Sequence, residues 1–170
     1  KQTIVGDPTE AAMVVLAYKH GMKKAEWEAR NPRVQEIPFD SDRKLMSTFH
    51  KIGDSITMYT KGAPDELLRR CTRIEEKGVV NPLTDAKREE ILSVNQDMAQ
   101  SALRVIGVAY RLMDKADPSP ESENDLIFVG LVGMIDPPRE EAKEAIDVCK
   151  TAGIQVKMIT GDHKITASAI

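Results

Sequence analysis

The sequence predicts a mixed α/β (α+β) protein in which an antiparallel sheet is flanked by helices and followed by part of a parallel α/β unit. Two β-rich runs, 45–51 and 55–60, are separated by Ile52-Gly53-Asp54, and short turns that contain glycine join the strands of hairpins. After Asp136-Pro137-Pro138-Arg139 the pattern changes to a helix that ends at Ala152 and an apolar strand over 154–159. We therefore expect two domains, residues 1–135 and 136–170.

The first helix is predicted from its start and stop signals. Asp7 suits the N-cap, Pro8 suits the first helical position, and Glu10 stands where a capping-box carboxylate belongs. Gly21 follows His20 and is expected to end the helix.

The remaining elements follow from hydrophobic periodicity and turn residues. A short helix after Pro64 is expected to carry Leu67 and Leu68. A longer helix over 84–102 is expected to bury one stripe, which consists of Ile91, Leu92, Met98 and Ala99. Further strands are predicted over 34–39, 105–110 and 126–135, and the acidic segment 114–125 is predicted to be an exposed loop.

Composition narrows the class of protein. The 170 residues are 41% hydrophobic and 30% charged, which is typical of a folded globular chain. A net charge of −3 argues against a nucleic-acid partner, because no basic surface is available for a phosphate backbone. No stretch reaches the roughly 18 to 20 consecutive apolar residues that span a bilayer. Cys71 and Cys149 lack metal-ligand spacing, so we interpret them as reduced thiols and expect no metal site.

A candidate ligand site is indicated by residues on both sides of the predicted hairpin. Phe39 and Lys44 precede one strand, and Lys61 and Gly62 follow its partner, so the hairpin brings them to one end of the sheet. An aromatic ring stacks on a purine, a lysine supplies a cation and contacts from its stem, and a glycine allows close approach of the backbone. The arrangement suits a purine with a phosphate tail. Glu10 either accepts from an exocyclic amine or caps its helix. Taken singly, each residue has an equally good structural interpretation as core, solvated charge or turn.

The motifs occur in the order found in one family: Gly6-Asp7-Pro8-Thr9-Glu10, 39–47, Lys61-Gly62-Ala63-Pro64, Leu103-Arg104, Asp136-Pro137-Pro138-Arg139 and Met158-Ile159-Thr160-Gly161-Asp162. In these motifs the chain resembles the P-type cation-transporting ATPases, most of all their calcium-pumping branch. The resemblance implies a nucleotide-binding domain over 1–135 and the start of a Rossmann-like, haloacid-dehalogenase-type phosphorylation domain over 136–170.

The same resemblance implies roles for individual residues. Phe39 would stack on adenine and Glu10 would meet its amino edge. The pocket would be lined by Lys44, Lys61 and Gly62, and Arg104 would reach the phosphates. Asp136 and Arg139 would lie at a hinge and face the nucleotide when the domains close. In the full enzyme the transferred phosphoryl group would be supported by Thr160, Gly161 and Asp162. Asp162 is also a plausible helix N-cap, which is the favoured interpretation for this stretch of chain alone.

One position departs from the family pattern. Ser41 stands where reticulum-type calcium pumps have an arginine, so a phosphate contact is either lost or supplied by Arg43. The Asp-Lys-Thr-Gly-Thr and Gly-Asp-Gly-Val-Asn-Asp motifs do not occur in the sequence, and we expect the chain to be a piece of a longer protein. It is therefore expected to bind ATP or ADP without turnover.

In the full pump, the resemblance implies ATP with Mg²⁺, an aspartyl-phosphate intermediate, the other domains of the pump as partners, and a position on the cytoplasmic face of a membrane. The truncated end is expected to pack on the first domain, self-associate or stay poorly ordered. Two other classes were weighed, of which only the first remains open on the residues alone. A scaffold or regulatory α/β module would show no nucleotide response, and a stand-alone dehalogenase-like phosphatase would need a nucleophilic aspartate strand that this sequence lacks.

Overall fold

The structure is a computed structural model and describes residues 7–135 and 140–159. Five α-helices lie in this part of the chain: α1 (Pro8–Lys19), α2 (Lys24–Arg30), α3 (Pro64–Arg70), α4 (Asp85–Gln100) and α5 (Glu140–Thr151). The same residues include seven strands: β1 (Arg33–Asp40), β2 (Leu45–Ile52), β3 (Ser55–Gly62), β4 (Cys71–Glu76), β5 (Val79–Pro82), β6 (Arg104–Met113) and β7 (Leu126–Met134). The prediction of a mixed α/β fold, in which helices flank a sheet, is confirmed.

The seven strands form one sheet in the order β1-β2-β3-β6-β7-β4-β5. The β2–β3 hairpin keeps an unbroken register from Leu45 opposite Gly62 to Ile52 opposite Ser55, and Gly53 supplies the positive φ of 61° that its turn requires. All pairings described are antiparallel except that of β4 with β7, which is parallel. The sheet is therefore mixed at one position, a feature the sequence did not predict.

Alternation along β2 separates two faces of the sheet. Leu45, Ser47 and Phe49 are buried, whereas the intervening residues are only half-buried. The buried side, which we call the core face, is covered by α3, because a Cβ at Gly107 would lie 2.8 Å from Leu67 Cδ2. The largest apolar side chains that are fully buried are Leu45, Phe49, Met58, Leu67 and Leu126.

Helix α4 buries a narrower stripe than predicted. Ile91 is buried and Met98 and Ala99 are half-buried, but Leu92 is 39% exposed, so its predicted core position is wrong. The observed stripe also includes half-buried Asn95, and the spacing i, i+4, i+7, i+8 leaves position i+1 on the edge of the helix. Leu92 follows Ile91 directly and is therefore turned away from the line along which Ile91 and Asn95 face the sheet.

Two further predictions need correction. Residues 154–159 follow Gly153 without forming a strand, because strand hydrogen bonds need a neighbouring strand and the described part of the chain provides none here. The loop 114–125 is not wholly exposed, since Ser122 and Glu123 are buried against the core face. The short elements α2, β4 and β5 were not predicted.

The described helices, those within residues 7–135 and 140–159, include none that is both long enough and apolar enough to cross a bilayer.

Five residues with a predicted role, and the predicted domain boundary itself, lie outside the described residues: Asp136, Arg139, Thr160, Gly161 and Asp162.

Candidate functional site

The first turn of α1 is built by its cap. Asp7 Oδ1 accepts from the backbone N–H groups of Thr9 and Glu10 at 2.8 and 3.3 Å. These hydrogen bonds, from Thr9 first and Glu10 second, lower the pKa of the Asp7 carboxyl because they stabilise its charged form. Arg104 lowers it further through its positive charge. The N-cap predicted at Asp7 is confirmed.

Glu10 does not use its carboxylate to complete the cap. Instead, Lys61 Nζ donates to both carboxylate oxygens of Glu10, and this ion pair joins α1 to the end of β3. The side chain of Lys61 is 25% exposed and that of Glu10 is 53% exposed. The two residues that the sequence analysis assigned to one pocket are therefore in contact.

Arg104 begins β6 and lies beside the same helix terminus. Its Nη1 donates to Thr9 Oγ1 at 3.2 Å. The N-terminal turn of α1 is thus bordered by two cationic side chains, Lys61 from β3 and Arg104 from β6. The same turn carries the carboxylates of Asp7 and Glu10, so an incoming anion would reach Lys61 by displacing Glu10 from it.

Two adjoining cavities open between α1, α2 and the sheet. The first, which we call the polar cavity, has a volume of about 470 Å³, and its lining includes Asp7, Glu10, Lys24, Glu28, Arg33, Met46, Thr48 and Lys61. The second, the apolar cavity, has about 540 Å³, and its lining includes Met13, Val14, Ala17, Met22, Trp27, His50 and Tyr59. Glu10 and Lys61 border both cavities. Volumes of this size suit a ligand as large as a nucleotide.

Phe39 lies at the end of β1 and is 62% exposed, so its ring is available for stacking and is not part of the core. The turn that follows is stabilised by Asp40, whose Oδ1 accepts from the N–H groups of Asp42 and Arg43 at 3.0 and 2.9 Å. The Arg43 and Asp42 amides lower the pKa of the Asp40 carboxyl by holding its charged form. Lys44 closes the turn in the left-handed region with a φ of 55°.

Gly62 has a structural requirement of its own. A Cβ at this position would lie 2.1 Å from the Lys44 carbonyl oxygen and 2.7 Å from Leu45 Cδ2. The Lys44 carbonyl also accepts from Ala63 N at 3.1 Å, so the end of β3 is held against the turn. Gly62 was predicted to allow close approach of a ligand, whereas the close contacts described here are with Lys44 and Leu45 of the protein itself.

The structure brings some predicted residues together and separates others. Glu10, Lys61 and Arg104 surround the first turn of α1. Phe39 and Lys44 lie on the adjacent turn outside both cavity linings, and Lys44 Nζ lies 3.9 Å from Glu66 of α3. Gly62 links the two groups, because it follows Lys61 in β3 and touches Lys44 through the backbone.

Residues on the cavity side of β2 and β3 were missed by the sequence analysis. Met46 is the register partner of Lys61, and Thr48 is the partner of Tyr59, so all four side chains share the face below α1. The signal was available in the sequence as the alternation of β2, because the residues between its buried positions must face the opposite side.

Comparison with known proteins adds to this geometry. Residues 1–141 match the model of the family described as P-type ATPase, cytoplasmic domain N. The chain is 48% identical over 166 residues to calcium-transporting ATPase 1 of Bacillus cereus, with 97% of this chain and 19% of that protein covered. It is 43% identical over 169 residues to calcium-transporting ATPase 1 of Lactococcus lactis, with 98% and 19% covered. It is also 44% identical over 171 residues to cation-transporting ATPase pma1 of Synechocystis, with 98% and 18% covered.

The fold and the site define an α/β domain in which a cavity between the sheet and two helices is bordered by the cationic side chains of Lys24, Arg33 and Lys61. The chain belongs to the P-type ATPase family, in the region of cytoplasmic domain N. It spans about a fifth of the length of the curated relatives it matches.

Proposed function

We propose that this chain is the ATP-binding part of a cation-transporting P-type ATPase, with Ca²⁺ as the transported ion. The observation that carries the nucleotide assignment is the meeting of Glu10, Lys61 and Arg104 at the N-terminal turn of α1 beside two adjoining cavities. The choice of Ca²⁺ is supported by the names of the relatives from Bacillus cereus and Lactococcus lactis.

Each residue contributes a distinct interaction in this proposal. The exposed ring of Phe39 stacks on adenine, and Glu10 accepts a hydrogen bond from its amino edge once the carboxylate leaves Lys61. Lys61 and Arg104 neutralise phosphate oxygens, and Arg104 does so with two donors in a planar fork. Lys44 contributes a further cation at the Phe39 side, and Gly62 keeps the backbone of β3 close to that turn.

Residues outside the described part of the chain complete the proposal for the whole pump. Asp136 and Arg139 would face the nucleotide at a hinge between domains, and the transferred phosphoryl group would be held by Thr160, Gly161 and Asp162. The boundary between the nucleotide-binding and phosphorylation domains would fall at residue 136.

Mg²⁺ is expected to arrive with ATP. Within residues 7–135 and 140–159, no three His, Cys, Asp or Glu side chains are grouped as metal ligands. When bound to ATP the ion would neutralise charge on the phosphates. The residues of this chain would bind and orient the nucleotide, and the acceptor aspartate would come from another segment of the pump. The chain alone would therefore bind without turnover.

The full protein would couple phosphorylation to ion movement through membrane segments outside this sequence, and this domain would lie on the cytoplasmic face where ATP is found. The proposed partners are ATP, ADP and the remaining domains of the same pump. Self-association through the end of this chain is a further expectation, which an equilibrium sedimentation measurement would check.

The decisive experiment is a calorimetric titration with ATP, ADP, AMP and GTP. Wild-type protein should bind adenine nucleotides saturably and prefer them to GTP, and Lys61→Ala should weaken ATP about tenfold, since a lost charged contact is worth roughly 1.5 kcal/mol or more. Lys51→Ala is the matched control, because Lys51 is an exposed lysine near the opposite end of the same hairpin. Absence of binding by wild-type protein up to about 10 mM, beyond the millimolar range that corresponds to only about −4 kcal/mol, would refute the assignment.

A further inference from the structure

A buried carboxylate lies on the core face of the sheet, away from the cavities. Glu123 belongs to the loop between β6 and β7, and its side chain is fully buried. A charge in such a place is costly unless it is paired and hydrogen-bonded. Ser47 Oγ donates to its Oε1 at 2.8 Å, and Thr60 Oγ1 lies 2.8 Å behind Ser47, so strands β2 and β3 hold one oxygen in place.

The other oxygen of Glu123 accepts from Arg43 Nη1. Arg43 belongs to the turn between β1 and β2, and its side chain is 17% exposed. The contact therefore connects the proposed nucleotide turn to a loop that is 80 residues further along the chain. In this structure the guanidinium is engaged by the protein, and a phosphate contact from Arg43, one alternative from the sequence, stays a prediction.

The same guanidinium holds the backbone around Phe39. Arg43 Nη2 donates to the Pro38 carbonyl at 2.8 Å, and Nε lies 3.9 Å from Asp40 Oδ1. Pro38 and Asp40 are the two neighbours of Phe39 in sequence. One rigid, planar group thus fixes the chain on both sides of the exposed ring.

The loop that carries Glu123 is itself anchored. Arg70 Nη1 donates to the Glu123 carbonyl at 3.3 Å, and Arg111 Nη1 donates to the carbonyls of Ser122 and Asn124 at 3.2 and 3.0 Å. Glu123 is therefore held by both its backbone and its carboxylate. An immobile anchor of this kind can transmit a fixed geometry to Arg43, which a solvent-exposed partner could not do.

We propose that Glu123 is a positioning residue for nucleotide binding: acting through Arg43, it fixes the turn that presents Phe39 and Lys44. The proposal rests on the nucleotide-binding function proposed above. A positioning role and a direct phosphate contact are distinguished by whether the affinity for adenosine, which has no phosphate, also falls. A displaced Phe39 would weaken the binding of adenosine as well as that of ATP, whereas loss of a direct phosphate contact by Arg43 would weaken ATP and leave adenosine unchanged.

The test compares Glu123→Gln, Arg43→Gln and the double variant in titrations with adenosine and with ATP. Each single variant should weaken both ligands by about five- to tenfold, and the double variant should be no weaker than the weaker single, because coupled residues are not additive. Glu121→Gln is the control, since Glu121 is an exposed carboxylate on the same loop. Backbone amide shifts of residues 39–44 in nucleotide-free protein should change in both single variants and stay unchanged in Glu121→Gln.

Folding is checked in the same spectra. If Glu123→Gln fails to fold, Arg43→Gln decides alone, because the Arg43 side chain is partly exposed and its loss leaves the Ser47 contact to Glu123 in place. Unchanged adenosine affinity in folded Arg43→Gln, or additive losses in the double variant, would overturn the proposal. Failure of wild-type protein to bind any nucleotide is a different outcome, because it overturns the nucleotide-binding function on which the proposal rests.

Discussion

Lys61 on β3 donates to both carboxylate oxygens of Glu10 on α1, so this helix is tied to the sheet by a half-exposed ion pair. Exposed pairs of this kind contribute only about 0–1 kcal/mol, because water and salt screen the charges. The contact is therefore weak enough for a phosphate group to displace Glu10 from Lys61. Displacement would release the carboxylate for a donor on the bound base.

Phe39→Ala should weaken ATP, ADP and adenosine alike by about tenfold, because stacking of a base on an aromatic ring is worth roughly 1–3 kcal/mol. Its effect on the free energy of unfolding should be small, since the ring is 62% exposed. Calorimetry and urea unfolding measure the two quantities. Tyr18→Ala is the control, because Tyr18 on α1 is 58% exposed and lines neither cavity. Equal losses in the two variants would contradict a stacking role for Phe39.

Arg104→Ala should weaken ATP and ADP by about tenfold or more, since a charged hydrogen bond contributes roughly 1.5–3 kcal/mol. Adenosine has no phosphate and should bind as before. Competition titrations with the three ligands measure the difference. Arg69→Ala serves as the comparison, because Arg69 is 67% exposed on α3 and pairs with Asp65 and Glu66 of its own helix. An equal loss for adenosine and ATP would show that Arg104 supports the fold of the site and does not contact phosphate.

Gly62→Ala should lower the free energy of unfolding by about 1–3 kcal/mol, the usual cost of forcing a methyl group into a packed position. The added Cβ would lie 2.1 Å from the Lys44 carbonyl oxygen, so the turn must move. Urea unfolding measures the loss, and the amide shift of Lys44 reports the movement. Gly130→Ala on β7 should change stability by less than about 0.5 kcal/mol, because a Cβ there has no neighbour within 4 Å. A stable Gly62→Ala protein with an unmoved turn would contradict the close approach.

Acid should loosen the first turn of α1 through Asp7. Hydrogen bonds from Thr9 and Glu10 lower its pKa below the ordinary 3.8 in the folded protein. A group with a lowered folded pKa stabilises the fold above its unfolded pKa, and that contribution disappears as the pH falls through the folded pKa. Carboxyl and amide NMR shifts between about pH 6 and pH 2 should therefore report a transition below the ordinary aspartate range.

Two variants separate the charge of Asp7 from its hydrogen bonds. Asp7→Asn keeps an oxygen that accepts from the helix terminus and should remove the acid transition of α1 while retaining the turn. Asp7→Ala should lose the turn at every pH. Persistence of the same acid transition in Asp7→Asn would assign it to another group.

Local signals in the sequence were sufficient for the elements whose patterns are strong. The turn residues between β2 and β3 set the hairpin and its register, and the cap at Asp7 set the start of α1. The short helix that carries Leu67 and Leu68 was predicted from the residues after Pro64. These predictions succeeded because each depends on residues within one or two turns of each other.

Local sequence patterns gave wrong or missing predictions where an element depends on residues far away in the sequence. Strand β4 pairs in parallel with β7. Arg73 lies opposite Ile127, which is more than fifty positions further along the chain, and no local sequence pattern predicts a pairing over that distance. The apolar run 154–159 has strand composition but forms no strand, because composition cannot supply the neighbouring backbone that a strand requires.

Residue types and their order were therefore enough to indicate the family, the hairpin and the set of candidate ligand contacts. Which of these candidates meet was decided by the packing of α1 on the sheet, since Glu10 and Lys61 are 51 positions apart and Thr9 and Arg104 are 95 apart. The burial of Glu123 against Arg43 is of the same kind. An acidic residue in a proline-containing loop favours an exposed position by composition, and it is buried here because β2, β3 and the β1–β2 turn together provide its hydrogen-bond donors.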